Sequence, residues 1–283
     1  MLSLQSDYLL ALVDCSTLDS SIDQKACQSV LADSYTPYSD AKASSWLNSV
    51  QKIPAGTPIT EELLANPNRL YIFDHQTADG ERAVYHFHFS SKIRMPADSV
   101  FISNGTAESK PLFLLEGVEW VGWSTEFAAT NFGYNAVVNV EISSRNSDSF
   151  HQLFSAIGVR GLTLSGVTLS SRYTPPEESS ISFMNLLSLG NGDGFPTDFR
   201  IENCDFLLPD LDPHKHEIRL YALMIVGNGV LVVGTPSDSS YHSTMFVTFK
   251  GNRIVSKDYN KSTSNKIIAS ALGVNGFVML SGS

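Results

Sequence analysis

The pattern of apolar positions changes at about residue 66 of the chain. Before that point, apolar residues recur at three- and four-residue spacing, which is typical of amphipathic helices. One predicted helix has Ala26, Val30 and Leu31 on its apolar face. Its predicted N-cap is Ser20, Ser21 or Asp23. A second predicted helix has an apolar face made of Ala43, Trp46 and Val50. We therefore predict that residues 1–66 form a small helical segment.

From about residue 67 onward, the chain consists of short runs rich in β-branched and aromatic residues. Examples are RLYIF, SVFIS, PLFLL and MFVTFKGNRIV, and they are separated by Gly, Asn and Ser. Each run has about the length of a strand, and a helical spacing is missing. We predict that residues 67–283 are all-β.

A six-residue motif recurs within these runs: apolar, any residue, Gly or Asn, small or apolar, any residue, apolar. Weaker copies begin at Ile93, Val138 and Leu272, and clear copies begin at Leu115, Leu164, Ile201, Ile225 and Phe249. Most successive starts are 22 to 26 residues apart. Such a period, made only of strand signals, is typical of a solenoid in which stacked turns share one core.

The motif makes two structural predictions. Gly or Asn at its third position would form a corner, because these residues tolerate positive φ. The five residues at this position are Gly117, Gly166, Asn203, Gly227 and Gly251. The apolar residues at its first position would stack in one buried column, and they are Leu115, Leu164, Ile201, Ile225 and Phe249.

The repeat resembles that of the right-handed parallel β-helix, or pectin-lyase-like, superfamily over residues 67–283. The resemblance implies a single right-handed parallel β-helix solenoid with a short N-terminal helical cap. Members of the superfamily include polysaccharide lyases and hydrolases, phage tailspikes and bacterial surface adhesins, so the fold leaves the function open. The polygalacturonase motifs are missing here, and no adjacent Asp pair occurs in the chain.

Composition and charge exclude some classes of binding partner. The net charge of −10 gives no overall field that would attract nucleic acid or an anionic membrane. No apolar run approaches the roughly 18 residues needed to span a bilayer.

The first residues make a poor signal peptide, although the resemblance leads us to expect a secreted or cell-surface protein. Cys15 and Cys27 would pair only in an exported protein, and the sequence leaves this open.

Three carboxylates are the candidates for catalysis. Glycoside hydrolysis needs two carboxyl groups on either side of the sugar bond. Glu116 and Glu202 share the second position of the motif and would lie in one column of the outer surface, and Asp205 follows nearby. An ordinary solvated outer face is the favoured interpretation of all three.

Other side chains suggest binding. The loop after the strand that ends near Leu208 contains residues able to chelate calcium or another divalent ion, namely Asp210, Asp212, His214, His216 and Glu217. An exposed charged loop is the simpler interpretation. Trp123 and Tyr134 are candidate aromatic platforms for sugar rings.

Two histidine-containing stretches are weaker candidates. Asp74 and His75 resemble part of a Trp-Ile-Asp-His stretch of pectate lyases, but the paired arginines of those enzymes are missing. His86 and His88 would share one face of a strand, because successive side chains alternate. A metal site there would need a third ligand.

The sequence therefore predicts a carbohydrate-recognising or surface-adhesion β-helix without catalysis. A polysaccharide lyase or glycoside hydrolase with a divergent site is the alternative, and a purely structural solenoid is a third. The last residues, from Gly276 onward, still have a strand pattern. We accordingly expect further coils or self-association at that end.

Overall fold

The computed structural model of the protein describes residues 14–32, 47–88, 93–116, 125–128, 133–145, 152–171, 183–190, 197–209, 218–226, 229–233, 244–255, 267–275 and 278–282. Within these ranges the chain is predominantly β. It contains 21 strands and a single α-helix, α1, at Ser21–Ala32, which follows a short 3-10 turn at Cys15–Thr17.

The strands are numbered in chain order. They are Ser49–Ile53 (β1), Arg69–Phe73 (β2), Val84–His88 (β3), Ile93–Arg94 (β4), Ser99–Ser103 (β5), Leu112–Glu116 (β6), Thr125–Ala128 (β7), Tyr134–Val138 (β8), Glu141–Arg145 (β9), Gln152–Ile157 (β10), Gly161–Ser165 (β11), Thr168–Ser171 (β12), Phe183–Gly190 (β13), Thr197–Glu202 (β14), Asp205–Leu207 (β15), Ile218–Val226 (β16), Gly229–Val233 (β17), Thr244–Lys250 (β18), Arg253–Val255 (β19), Ile267–Asn275 (β20) and Val278–Gly282 (β21).

These strands form three parallel sheets, which we name A, B and C. Sheet A has the order β1-β2-β5-β8-β11-β14-β18-β17-β21, sheet B has β3-β6-β9-β12-β15-β19, and sheet C has β4-β7-β10-β13-β16-β20. From β2 to β16, successive strands enter sheets A, B and C in turn. Each turn of the chain thus adds one strand to every sheet, an arrangement of stacked parallel sheets that is compatible with a β-helix.

One strand departs from this order. Sheet A continues from β14 to β18, and β17 pairs on the far side of β18, between it and β21. A strand that comes earlier in the chain therefore lies farther along the sheet than its successor.

The prediction that five apolar residues stack in one column is wrong for two of them. Leu164, Ile201 and Phe249 stack in register in sheet A, as expected. Leu115 instead pairs within sheet B, and Ile225 pairs within sheet C. Phe249 is also 39% exposed, whereas Leu164 and Ile201 are fully buried.

The assignment of these motif copies to different sheets also corrects the predicted length of the repeat. The motif copies at Leu164, Ile201 and Phe249 span the corner from sheet A to sheet B, and these residues are 37 and 48 residues apart. The copies at Leu115 and Ile225 begin inside strands of other sheets. The predicted spacing is shorter than a full turn because it combines motif copies that lie in three different sheets. A full turn contains three strands, one in each sheet.

The corner is confirmed at three of the five predicted residues, and the other two, Gly117 and Gly227, lie outside the described residues. Gly166, Asn203 and Gly251 have φ values of 62°, 53° and 66°, and Asn139 at the preceding corner has 52°. Asn and Gly alternate from one corner to the next. A Cβ atom placed on Gly166 would overlap with Oδ1 of Asn139, and one on Gly251 would overlap with Oδ1 of Asn203. The asparagine of one turn therefore fills the space that the glycine of the next turn leaves open.

Helix α1 packs on the outer face of sheet A. Cys27 and Val30 of the helix are buried in one cluster with outward-facing residues of β2, β5 and β8, among them Ile72 and Ile102. The inward-facing residues of these strands lie in the main core. Because both faces are covered, these strands are continuous apolar runs rather than alternating ones.

The N-terminal segment differs from the prediction in part. Ser20 accepts a hydrogen bond from the backbone of Ile22 at 3.2 Å, in agreement with a serine N-cap. Val50 is not on a helical face, because it lies in β1 and pairs with Leu70. The rest of the predicted second helix, up to Trp46, lies outside the described residues. A disulfide joins Cys15 to Cys27 and so ties the 3-10 turn to α1.

Candidate functional site

Two grooves meet at the corner that follows β2. The first, which we name the helix groove, has a volume of about 460 Å³ and separates α1 from the corners of the following turns. Its lining includes Ile22, Lys25, Ala26, His75, Ile102 and Asn104. The second, which we name the sheet B groove, has a volume of about 360 Å³. Its lining includes His75, Arg82, Glu108, Ser109, Lys110 and Glu141.

Two loops shape these grooves. The connection between β2 and β3 folds back on itself, with a bridge between Gln76 and Arg82. The connection between β5 and β6 passes close to His75 at Gly105. A Cβ atom on Gly105 would overlap with Cβ of His75 and with the carbonyl oxygen of Ser109. Only glycine permits this approach, which is why the two grooves share His75 and Ser109.

The imidazole of His75 has a defined orientation. Its Nδ1 lies 2.8 Å from Oδ1 of Asn104, and the backbone N–H of His75 donates to the same oxygen at 2.9 Å. Because an amide oxygen only accepts, Nδ1 must carry the hydrogen. Nε2 of the neutral ring is therefore an acceptor at the junction of the grooves.

The side chain of Asn104 is held in turn by two carboxylates. Its Nδ2 donates to Oδ1 of Asp23 at 2.7 Å and to Oδ1 of Asp74 at 2.8 Å. Carboxylates only accept, so this contact fixes which end of the amide faces His75. Asp23 comes from α1 and is 1% exposed, so the helix contributes directly to the orientation of His75.

One lysine pairs with both carboxylates and offsets one of their two negative charges. Nζ of Lys52 forms ion pairs with Oδ2 of Asp23 and, at 3.1 Å, with Oδ1 of Asp74. Burial lowers the pKa of Lys52, but the hydrogen bonds and charges of Asp23 and Asp74 raise it more, so the net shift is upward. Lys52, Asp23, Asp74, Asn104 and His75 form one connected set, which we name the polar network.

The sheet B groove contains a second polar arrangement. Arg82 donates to Oε2 of Glu141 at 2.7 Å and to the backbone oxygen of Lys110 at 2.8 Å. Nζ of Lys110 donates to the backbone oxygen of Gly166 at 2.8 Å and to Oγ1 of Thr168 at 2.9 Å. Burial lowers the pKa of Lys110, although the charges of Asp205 and Glu141 act in the opposite direction.

The three candidate catalytic carboxylates are not brought together. Glu116 ends β6 in sheet B, whereas Glu202 ends β14 in sheet A, so the prediction that they share a column is wrong. Asp205 lies in sheet B, and Arg253 donates to its two oxygens at 2.9 and 3.1 Å. Neither groove includes any of these three residues in its lining.

The other predicted site residues lie apart from the grooves or outside the described residues. Tyr134, a candidate sugar platform, begins β8 and is half-buried beside Gly161, and it lines neither groove. The other candidate platform and the predicted metal-binding loop lie outside the described residues; these are Trp123, Asp210, Asp212, His214, His216 and Glu217. Within the described part of the chain, no group of three His, Cys, Asp or Glu residues could hold a metal ion.

The alternation predicted for β3 is confirmed at its centre. His86 is exposed, and its neighbours Tyr85 and Phe87 are fully buried. The hydroxyl of Tyr85 donates to the backbone oxygens of Ile53 and Asp74, at 2.9 and 3.1 Å.

Sequence reasoning identified His75 and Asp74 but not the residues that hold them. Asp23 was considered only as a helix cap, and Lys52 and Asn104 were not considered as site residues. These partners are 22 to 81 residues apart along the chain. No local pattern records such distances, because they follow from how the turns stack and where α1 packs.

Comparison with known protein families, with curated proteins and with solved structures found no match. A search of the described residues for a helix that is long and apolar enough to cross a membrane found none.

Proposed function

We propose that the chain is a right-handed parallel β-helix of the pectin-lyase-like type and that it recognises carbohydrate in the helix groove. The observation that carries the proposal is the fixed imidazole of His75 beside an apolar floor. The three stacked parallel sheets support the fold, and the polar network supports the site.

The lining of the helix groove suits a sugar ring. Ile22, Ala26 and Ile102 supply apolar surface, which can contact the C–H face of a pyranose. Nε2 of His75 is available to accept a hydrogen bond from a sugar hydroxyl, and Lys25 offers donors at the side of the groove. A mostly apolar cavity with a few fixed polar groups is the usual design of a small-molecule site.

Binding without catalysis is favoured by the state of the carboxylates. Asp23 and Asp74 are engaged with Lys52 and Asn104, and Glu141 is engaged with Arg82. General acid–base cleavage of a glycoside needs a carboxyl group that can approach the scissile bond. Of the carboxylates that line the described grooves, only Glu108 is outside an ion pair, and it is exposed and accepts a hydrogen bond from Thr106 at 2.8 Å.

The disulfide supports a secreted or cell-surface location as part of the same proposal. Disulfides such as Cys15–Cys27 persist mainly in oxidising compartments. This disulfide lies in the segment that carries one wall of the helix groove.

The test is a screen of neutral and acidic oligosaccharides, followed by calorimetry with the strongest binder. We expect His75→Ala to weaken binding about fivefold, because one hydrogen bond contributes about 1 kcal/mol. His86→Ala is the matched control, since it removes an exposed histidine from the outer face of sheet B. It should leave the affinity unchanged.

Two outcomes would contradict the proposal. The first is the lack of any binder in the screen, and the second is equal affinity of wild type and His75→Ala. The same samples are assayed for unsaturated uronate absorbance and for new reducing ends. A sustained signal that is lost in His75→Ala would favour the lyase or hydrolase alternative instead.

A further inference from the structure

Lys110 carries a charge for which the described chain supplies no counter-ion in contact. Its Nζ is half-buried and donates to two neutral oxygens, those of Gly166 and Thr168. In the described part of the chain, no carboxylate lies within ion-pair distance of Nζ. An ammonium group has three donors, so one remains for another acceptor.

Two of the carboxylates whose charge acts on Lys110 already have other partners. Glu141 binds Arg82 and accepts a hydrogen bond from Ser170 at 3.0 Å. Asp205 is bound by Arg253 through both of its oxygens. Within the described residues, Lys110 is therefore a cation in the wall of the sheet B groove that has no carboxylate in contact.

We propose that the sheet B groove binds an oxyanion, such as a sulfate, phosphate or carboxylate group, with Lys110 as its charged anchor. This inference goes beyond carbohydrate recognition in the helix groove and does not depend on it. A partly dehydrated cation without a counter-ion is unfavourable, and an anion in contact would offset that cost. The same burial lowers the pKa of Lys110, because removing water from the ammonium group disfavours its charged form.

The neighbouring charges are compatible with such a site. Arg82 lines the same groove, and its guanidinium can add donors on the anion's other side. Glu141 is neutralised by Arg82, and Glu108 is exposed, where water and salt screen its charge.

The first experiment uses inorganic sulfate and the intact chain. Melting temperatures are measured with increasing sodium sulfate and with sodium chloride at the same ionic strength. We expect sulfate to raise the melting temperature of the wild type above the chloride series, because binding to the folded state stabilises it. Lys110→Gln should lose this difference. Lys25→Gln is the matched control, since it removes an exposed lysine of the helix groove and should keep it.

A second measurement avoids the risk that Lys110→Gln folds poorly. Wild-type protein is acylated with an amine-reactive ester, and modification of each lysine is followed by mass spectrometry. Sulfate should slow the acylation of Lys110 about threefold or more, and chloride should not. Lys25 should react at one rate in both salts. Equal acylation of Lys110 in the two salts, or equal melting curves, would overturn the proposal.

Dextran sulfate and unmodified dextran distinguish the two sources of the anion. Protection of Lys110 by dextran sulfate at sulfate-group concentrations about tenfold lower than for the free ion indicates an acidic polymer as the ligand. Equal protection of Lys110 by dextran sulfate and by inorganic sulfate, at the same concentration of sulfate groups, indicates a free ion as the ligand. Because the sulfate arm contains no sugar, it succeeds or fails independently of glycan binding at His75.

Discussion

Replacement of Gly166 by alanine should destabilise the protein through two separable effects. The first is conformational, because φ at this residue is 62° and an L-residue in the left-handed region costs about 1–2 kcal/mol. The second is steric, because the new Cβ would overlap with Oδ1 of Asn139 in the preceding corner. Overpacking in a rigid position costs about 1–3 kcal/mol. We therefore expect a total loss of about 2–5 kcal/mol.

The two effects can be measured apart. Gly80→Ala is the control for the conformational effect, since φ there is 80° and nothing lies within 4 Å of the added Cβ. It should cost about 1–2 kcal/mol. In an Asn139→Gly background the overlap at position 166 is removed, so Gly166→Ala should cost no more than Gly80→Ala. The difference between the two backgrounds should be about 1–3 kcal/mol.

The assay is urea denaturation of the four proteins of the double-mutant cycle, followed by circular dichroism. Gly251→Ala with Asn203→Gly provides an independent copy of the cycle, because the same overlap recurs two turns later. Two results would refute the reasoning: a loss for Gly166→Ala equal to that for Gly80→Ala, or a loss that Asn139→Gly does not reduce.

Three further predictions concern single groups. Reduction of the Cys15–Cys27 disulfide should lower stability by about 3 kcal/mol, since it closes a loop with a sequence separation of 12; an unshifted melting curve under reductant contradicts this. Burial raises the pKa of Cys204 to about 12, so iodoacetamide at pH 8 should label it only after unfolding, and labelling of the folded protein at the rate of a free thiol would argue otherwise. The pKa of Lys52 is raised by folding, so its contribution is complete below its unfolded pKa of about 10.4 and is lost as pH rises through the higher folded value. The stability difference between wild type and Lys52→Met should accordingly shrink in alkaline denaturation series, and a difference that grows with pH is incompatible with this sign.

The corner could be predicted from sequence because its cause is local. Positive φ selects Gly and Asn whatever surrounds them, and Gly166, Asn203 and Gly251 were identified on that basis alone. The length of one turn could not be predicted in the same way. Leu115 and Ile225 fit the motif because β-strands in all three sheets have similar composition, and composition does not record which sheet a strand joins.

The candidate site depended on relations that the sequence does not contain. Asp74 and His75 are adjacent in the sequence, but the orientation of the His75 ring depends on Asn104, one turn later, and through it on Asp23 of α1. The position of α1 is decided by apolar burial against the outer face of sheet A, and a buried carboxylate on the same helix then requires partners. Both steps are tertiary, so neither leaves a periodic signal.

The position of Asn104 in the polar network has a consequence for producing the protein in eukaryotic cells. Asn104-Gly105-Thr106 matches the acceptor sequence for N-linked glycosylation. A glycan on Nδ2 would leave one N–H there, whereas the folded chain uses two, to Asp23 and to Asp74. Modification before folding would therefore trap the chain with α1 undocked, and folding before modification would hide the acceptor from the transferase. A host that lacks this pathway is accordingly the source in which every molecule can form the same site.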